Sequence, residues 1–182
     1  MQTRRLKSLY NVMPSIDNFK LAKLASKLNI NLKFNNIISK NELNSIPLKS
    51  KMNLIINLDD NTGSHWCSFV VRGDCALWCD TFGVICPNEV VEYCTRNGLH
   101  LGYNRYIIQS LNSKNCGYFA LCCVKWLEKA NKNNLYNRAN EFVNCFVDYT
   151  KFNDGIMRKL LNIGWFVLFF CCFNNPFYRS KK

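Results

Sequence analysis

The most informative stretch of the chain is Gln109-Ser110-Leu111-Asn112-Ser113-Lys114-Asn115-Cys116-Gly117, which lies directly before a helical run. It places a cysteine where a helix is predicted to begin, seven residues after a glutamine. The helix is predicted because apolar residues recur at i, i+3, i+4, i+7 and i+8, which is typical of a helix packed on one face. These residues are Phe119, Cys122, Cys123, Trp126 and Leu127, and Asn112 or Ser113 can cap the first turn.

A cysteine at this position has the chemistry of a nucleophile. The positive end of the helix dipole favours the thiolate of Cys116, which is the reactive form of a cysteine. Gln109 can offer a neutral N–H donor to the same place. A nucleophile beside an oxyanion donor is the arrangement that acyl transfer requires.

A base and a residue that orients it are predicted on a β-hairpin. Two strand-like runs, 64–71 and 77–83, flank Arg72-Gly73-Asp74-Cys75, which is typical of a tight turn. In a hairpin with a two-residue loop, the residue numbers of two opposed residues add up to an odd number. The numbers of His65 and Asp80 also have an odd sum, so these two side chains are predicted to share one face. They should be directly opposed or one diagonal step apart, about 4.5–8 Å between Cβ atoms. A carboxylate in this place can hold the imidazole in one tautomer and make it more basic.

These segments together resemble the adenovirus-type cysteine proteases. The resemblance rests on Gly63-Ser64-His65-Trp66, on Trp78-Cys79-Asp80-Thr81-Phe82-Gly83 and on the 109–117 stretch, with weaker support from 37–43 and 55–59. The family includes adenain and its relatives in virophages, adintoviruses and Polinton/Maverick elements. It belongs to the same clan as the SUMO-specific proteases. The resemblance covers roughly residues 16–128.

What the resemblance implies is a triad of Cys116, His65 and Asp80, with Gln109 in the oxyanion hole. Adenain usually has Glu at the third position, whereas many relatives have Asp. The implied function is a cysteine endopeptidase that cleaves viral capsid or core precursor proteins during particle maturation. Two alternatives stay open: an isopeptidase that removes ubiquitin-like modifiers, and a non-catalytic DNA-binding scaffold protein on the same fold.

Other residues of these types are assigned to the core or to loops. Cysteine is abundant, with 11 in 182 residues, so a single cysteine is more often a small buried hydrophobe than a nucleophile. We therefore assign Cys67, Cys79, Cys122 and Cys123 to packing, Trp66 and Trp78 to the core, and His100 to a loop. The cysteine spacings lack the paired short intervals of structural zinc sites, so no metal site is predicted.

The predicted fold class is α+β, a small mixed sheet packed by helices in one domain of residues 1–182. A length of 182 residues with 48% hydrophobic content is sufficient for one core. Helices are predicted at 15–28, 87–94, 116–129, 135–150 and 154–163, and strands at 53–58, in the two hairpin runs and at 103–109.

Charge is distributed unevenly along the chain. Residues 1–64 and 125–182 each carry 10 Lys/Arg and 4 Asp/Glu, whereas residues 65–124 carry 4 of each. The net charges are therefore +6, 0 and +6 from the N-terminal to the C-terminal segment. Basic flanks around a neutral middle are typical of a surface that binds double-stranded DNA without sequence preference, but a Lys-rich composition that keeps the protein soluble has the same totals. The resemblance to the adenovirus-type proteases favours DNA binding.

The chain ends bear on location and partners. Residues 1–7 lead into no apolar core, so no signal peptide is predicted and the cysteines are expected to be reduced. The apolar run 164–173 is about half the length of a membrane span, which favours buried core over membrane contact or a docking peptide. The chemistry requires no cofactor, and the resemblance leaves open activation by DNA or by a viral peptide. We expect a monomer in the virion and the infected cell, in the nucleus or a cytoplasmic viral factory.

Overall fold

A five-stranded mixed sheet organises the chain in the computed structural model, which describes residues 15–58 and 65–162. The strands lie in sequence order, and the outer pairs are parallel while the inner pairs are antiparallel. They are β1 (Ile37–Ser39), β2 (Lys51–Asn57), β3 (Trp66–Arg72), β4 (Cys75–Cys79) and β5 (His100–Tyr103).

Five α-helices cover the two faces of this sheet. They are α1 (Asn18–Lys27), α2 (Asn88–Arg96), α3 (Cys116–Trp126), α4 (Leu135–Asn144) and α5 (Asn153–Asn162). Short 3₁₀ segments lie at Phe34–Asn36, Lys40–Ser45 and Thr150–Phe152. The predicted α+β class, a small mixed sheet packed by helices, is confirmed.

Alternate residues of the strands serve two separate cores. Ile55, Val70 and Leu77 pack into a cluster with α1, α3, α4 and α5. The neighbouring side chains, such as Phe69 and Trp78, point to the other face and pack with Val90 and Tyr93 of α2. Every residue of β3 is consequently buried, because this central strand is covered on both sides.

The hairpin has the register that the parity argument requires. Arg72 pairs with Cys75 and Ser68 with Cys79, so the loop is the two residues Gly73 and Asp74. Continued by one step, this register sets Asp80 opposite Cys67, which leaves His65 one diagonal step away. The diagonal arrangement, one of the two that the sequence left open, is therefore the one observed.

Arg72 fixes the far end of α3 against this hairpin. Its buried guanidinium donates to the carbonyl oxygens of Leu127 (2.8 Å) and Ala130 (2.9 Å), just past the C-terminal end of the helix. A further hydrogen bond of 2.9 Å joins it to Asn53 Oδ1, and burial lowers the pKa of Arg72. A cation at this end is also favoured by the helix dipole. The hairpin thereby helps to set where α3, and the cysteine at its start, must lie.

The structure corrects the predicted strand at 103–109. Regular strand structure ends at Tyr103, and residues 104–109 form an irregular loop, while His100, assigned to a loop, begins β5. In this loop Ile108 is buried, whereas Tyr106 and Ile107 are exposed. The alternation of apolar residues alone does not distinguish a strand from such a loop.

The structure corrects two predictions for α3, its capping residue and its single buried face. The N-cap is Asn115, with no side-chain cap, so neither Asn112 nor Ser113 caps the first turn. The helix is also buried on more than one face, since Ala120, Leu121 and Val124 are buried, while Trp126 of the predicted stripe is only half-buried. It is the central helix of one core, with α1, α4 and α5 around it.

Helix and strand ends shift by a few residues elsewhere. The helix predicted at 135–150 ends at Asn144, that at 116–129 ends at Trp126, and α1 begins only at Asn18, capped by Asp17. The apolar run 164–173 lies outside the described residues. Within the described ranges, none of the helices combines the length and apolar character needed to span a membrane.

Candidate active site

His65 and Asp80 meet at the open end of the hairpin. His65 lies one residue before β3 and Asp80 one residue after β4, and His65 Nε2 is 3.0 Å from Asp80 Oδ1. Asp80 is 1% exposed, whereas the His65 side chain is 20% exposed. The carboxylate is therefore the inner partner and the imidazole the outer one.

Asp80 is held from both its side chain and its backbone. The Phe82 N–H donates to Asp80 Oδ1 at 2.7 Å, so this oxygen accepts two hydrogen bonds. Asn104 brackets the backbone, because its Oδ1 accepts from the Asp80 N–H (2.8 Å) and its Nδ2 donates to the Asp80 carbonyl (2.7 Å). The Phe82 ring also lies against the imidazole, with centroids 4.8 Å apart. These contacts leave His65 little freedom to rotate.

The imidazole of His65 has an unusually high affinity for a proton. Burial opposes the charged form, but hydrogen bonds with Asp80 and with Cys116 outweigh it and raise the pKa of His65 to about 9. Since Nε2 faces Asp80, Nδ1 is the nitrogen left for Cys116. At neutral pH the ring is consequently an imidazolium that lies between the Asp80 carboxylate and the sulfur of Cys116.

Cys116 is the first residue of α3, as the sequence predicted, and is 7% exposed. The next residue must be glycine, because a Cβ on Gly117 would lie 2.5 Å from Ile16 Cγ2 and 3.2 Å from Trp66 Cδ1. Trp66 in turn donates from Nε1 to the Ile16 carbonyl at 3.0 Å. This close packing of α3 on the entry to β3 brings the thiol to His65.

Gln109 is completely buried on the loop that leads to Cys116. Its Nε2 donates to the Ser113 carbonyl at 2.8 Å, and its Oε1 accepts from the Thr81 hydroxyl at 2.6 Å. The Thr81 carbonyl accepts from the backbone N–H groups of Ile108 (2.9 Å) and Gln109 (3.1 Å). The residue after Asp80 thus fastens the Gln109 loop to the end of β4.

Gly83 permits these two loops to meet. A Cβ there would lie 2.8 Å from the Arg105 carbonyl oxygen, and its φ of +67° is in the region that favours glycine. Its N–H donates to the Asp80 carbonyl at 3.0 Å and closes the turn. The Gly in Asp80-Thr81-Phe82-Gly83 is therefore needed for the approach that joins Thr81 to Gln109.

An open cleft of about 340 Å³ lies beside Trp66. It is lined by that ring, by Asn57 and by Asp17, Asn18 and Lys20 at the start of α1. Because Trp66 also touches Gly117, the cleft lies near the cysteine end of α3.

The remaining predicted residues have the burial expected of them. Cys67, Cys79, Cys122 and Cys123 are buried, as are Trp66 and Trp78.

Ligand atoms of His65, Cys67 and Asp80 lie within 4.8 Å of one another, which makes this the group in the described part of the chain that could hold a metal ion. It overlaps the His65–Asp80 pair, so a bound metal would compete with that hydrogen bond.

Sequence reasoning missed four residues that support the site. Thr81, Phe82 and Asn104 have a recoverable signal, because the first two adjoin Asp80 and the third follows β5 at the same sheet edge. Asp154 has none. It is 39 residues beyond its hydrogen-bond partner Asn115, and only the fold brings the two together.

The comparisons with known proteins agree with this architecture. No protein-family model and no curated protein matches the chain. The crystal structure of the ASFV pS273R protease is similar, with a TM-score of 0.51 and 14% identity over 80% of this chain. This chain spans 66% of that protein's chain. A structure of AvrA delL154 with IP6 and CoA is similar at a TM-score of 0.46 and 14% identity, over 79% of this chain and 67% of that one.

At this identity the likeness concerns the fold. Over the matched part the chain has the fold of the pS273R protease, and the predicted α+β fold, with a cysteine at the start of a central helix, is confirmed. The narrower assignment to the adenovirus-type branch stays a prediction.

Proposed function

We propose that this chain is a cysteine endopeptidase in which Cys116 is the nucleophile, His65 the acid and base, and Asp80 the residue that orients His65. The observation that carries the proposal is the position of His65, between the Asp80 carboxylate at 3.0 Å and the cysteine that begins α3. Similarity of fold to a protease supports it without assigning these roles.

The proposed reaction begins with attack of the Cys116 thiolate on the carbonyl carbon of the scissile peptide. The carbon–nitrogen bond breaks, and His65 gives its proton to the departing amine, leaving a thioester on Cys116. A water molecule then attacks the thioester while neutral His65 takes its proton. The acid is released, and the Cys116 thiolate and the His65 imidazolium are restored.

The raised pKa of His65 suits the first half of this cycle. With a pKa of about 9, the ring is protonated at neutral pH and can act as the acid without first collecting a proton. Asp80 stabilises the imidazolium and keeps its own charge.

Gln109 is proposed to stabilise the oxyanion together with the backbone N–H of Cys116. One N–H of its carboxamide is used by the Ser113 carbonyl, and the second can donate to the substrate oxygen. Thr81 fixes the orientation of the amide before the negative charge develops, and the fully buried side chain must become accessible when substrate binds.

We further propose that the substrates are viral capsid or core precursor proteins. The support is the resemblance of the sequence motifs to adenovirus-type proteases. The other candidate of the same fold is an isopeptidase for ubiquitin-like modifiers. Parallel incubation with precursor proteins and with a ubiquitin-like-domain probe distinguishes the two, because each candidate predicts turnover of one substrate and not the other.

The central experiment compares Cys116→Ala with Cys122→Ala, which removes a buried thiol from the same helix. Cys116→Ala should abolish peptide hydrolysis and leave the circular dichroism spectrum unchanged, while Cys122→Ala should remain active. An active-site alkylator should label Cys116 in the wild type. Retained turnover of Cys116→Ala, or labelling at Cys122 or Cys123, would contradict the assignment.

DNA binding is a separate proposal, supported by the basic flanks. Lys20, Lys23 and Lys27 are exposed along α1, three and four residues apart, and thus lie on one side of the helix. Each phosphate that is neutralised should contribute about −0.9 to the slope of log K against log[salt]. Reversing the charges of Lys23 and Lys27 should flatten that slope without changing cleavage of a short peptide. Affinity that is absent at low salt, or indifferent to salt, would refute this role.

A further inference from the structure

The first turn of α5 is attached to the loop that carries Gln109 and leads to Cys116. Asp154 accepts hydrogen bonds from the Ser113 hydroxyl at 3.0 and 3.1 Å and from Asn115 Nδ2 at 2.8 Å. The preceding residue, Asn153, is buried and donates from Nδ2 to the Ile108 carbonyl at 2.9 Å. Two adjacent residues of α5 thus hold both ends of the segment 108–115.

Ser113 connects this attachment to the proposed oxyanion donor. Its carbonyl oxygen can only accept a hydrogen bond, so the group 2.8 Å away must be the nitrogen of the Gln109 carboxamide. That choice leaves Oε1 to face the Thr81 hydroxyl, which donates to it. The orientation of the Gln109 amide therefore depends on where Ser113 is held.

Asp154 is well suited to hold Ser113. A carboxylate offers only acceptors, and its hydrogen bonds are roughly twice as strong as those between neutral groups. The Ser113 hydroxyl that donates to Asp154 also accepts from the Asn115 N–H at 3.3 Å, which ties the two loop residues together. A negative charge in the first turn of α5 is in addition favoured by the helix dipole.

We propose that Asp154 is a positioning residue, which acts through Ser113 to set the carboxamide of Gln109 for oxyanion stabilisation. This inference rests on the proposed function. It assigns a catalytic consequence to a residue from the C-terminal part of the chain, outside the segment in which the sequence motifs lie.

The test is a double-mutant cycle between Asp154→Ala and Gln109→Ala. Asp154→Ala should lower kcat by about tenfold or more, because a displacement of about 1 Å can cost up to roughly 10². KM should change by less than about twofold, since Gln109 donates its hydrogen bond to the oxyanion only in the transition state. In the Gln109→Ala background the same substitution should have almost no further effect. Asp154→Asn keeps an acceptor for Asn115 and should restore part of kcat.

Ile156→Ala is the matched control, because Ile156 packs on the core from the same helix without belonging to the hydrogen-bonded chain. It should lower the melting temperature yet leave kcat near that of the wild type. Additive effects of Asp154→Ala and Gln109→Ala on kcat would overturn the inference. So would an equal loss of kcat in Ile156→Ala, since α5 would then act only through general stability.

A second readout does not depend on turnover. The side-chain amide protons of Gln109, assigned by their loss in Gln109→Ala, should exchange with solvent faster in Asp154→Ala and at the wild-type rate in Ile156→Ala. If the wild type hydrolyses no peptide, the proposed function fails while this measurement still decides whether Asp154 positions Gln109. Unchanged exchange in Asp154→Ala would refute the positioning role.

Discussion

The two halves of the candidate site are held in place by different means. His65 and Asp80 flank a single hairpin, and the pairing of β3 with β4 sets their separation. Gln109 lies on an irregular loop, where its side chain forms hydrogen bonds with Thr81 and Ser113. Ser113 is in turn held by Asp154. The first half is a consequence of backbone register and the second of a chain of side-chain contacts.

This difference has a functional consequence. Strand register is difficult to alter, because a slip of one residue would move every side chain of the strand to the other face of the sheet. A loop held by side chains can be displaced by a single substitution, even a distant one. We therefore expect variants of the hairpin to change the proton affinity of His65, and variants of the loop to change transition-state stabilisation alone.

The largest expected effect comes from the loop. Gln109→Ala should lower kcat by about 10²–10³, the usual cost of removing one oxyanion donor. Alkylation of Cys116 by a small reagent should be almost unaffected, because that reaction develops no oxyanion. Asn112→Ala removes an exposed amide from the same loop and should be active. An unchanged kcat in Gln109→Ala would remove this residue from the mechanism.

Asp80→Asn should have a smaller effect with a different signature. Asparagine can still accept a hydrogen bond from His65, but it lacks the charge that raises the pKa of His65 to about 9. Loss of a neighbouring charge typically moves a pKa by about 1–3 units, so activity should fall roughly tenfold at pH 8, and by less than in His65→Ala.

The shape of the pH profile separates the hairpin from the loop. In the wild type, kcat/KM should decline as pH rises through about 9, where His65 loses the proton that it gives to the leaving amine. In Asp80→Asn this decline should begin at lower pH, and in Gln109→Ala it should stay where it is. An alkaline limb that does not move in Asp80→Asn would contradict the role assigned to Asp80.

The sequence predicted the hairpin half because its geometry is local. Apolar runs, a Gly-Asp turn and the parity of index sums are sufficient to place His65 and Asp80 on one face. The start of α3 was likewise predicted at Cys116, since helical periodicity begins after it. These features depend on residues within about 15 positions of one another.

The sequence could not predict the loop half in the same detail. The apolar spacing of 103–109 indicated a strand, whereas the chain turns irregular at Asn104, whose side chain holds the backbone of Asp80. The support of Ser113 by Asp154 spans 41 residues. A capping role for Ser113 was wrong because α3 begins at Cys116 with Asn115 at the N-cap, which leaves Ser113 outside the first turn.

The smallest expected effect is on stability, and it again distinguishes the two halves. The pKa of His65 is raised from its ordinary value of 6.5 to about 9 in the folded protein. A group with a raised folded pKa stabilises fully below its unfolded pKa, and this contribution is lost as pH rises through the folded value. The favourable term from His65 should therefore be complete at pH 6 and largely absent by pH 9.5.

Chemical denaturation at pH 6 and at pH 9 measures this term. The wild type should have a larger free energy of unfolding than Asp80→Asn. This difference between the two proteins should be about 1–3 kcal/mol larger at pH 6 than at pH 9. Gln109→Ala is the matched control, because the hydrogen bonds among Thr81, Gln109 and Ser113 involve no group that titrates in this range. Its stability difference from the wild type should be the same at both pH values. A difference for Asp80→Asn that is also constant, or that grows with pH, would show that the carboxylate does not hold the proton on His65.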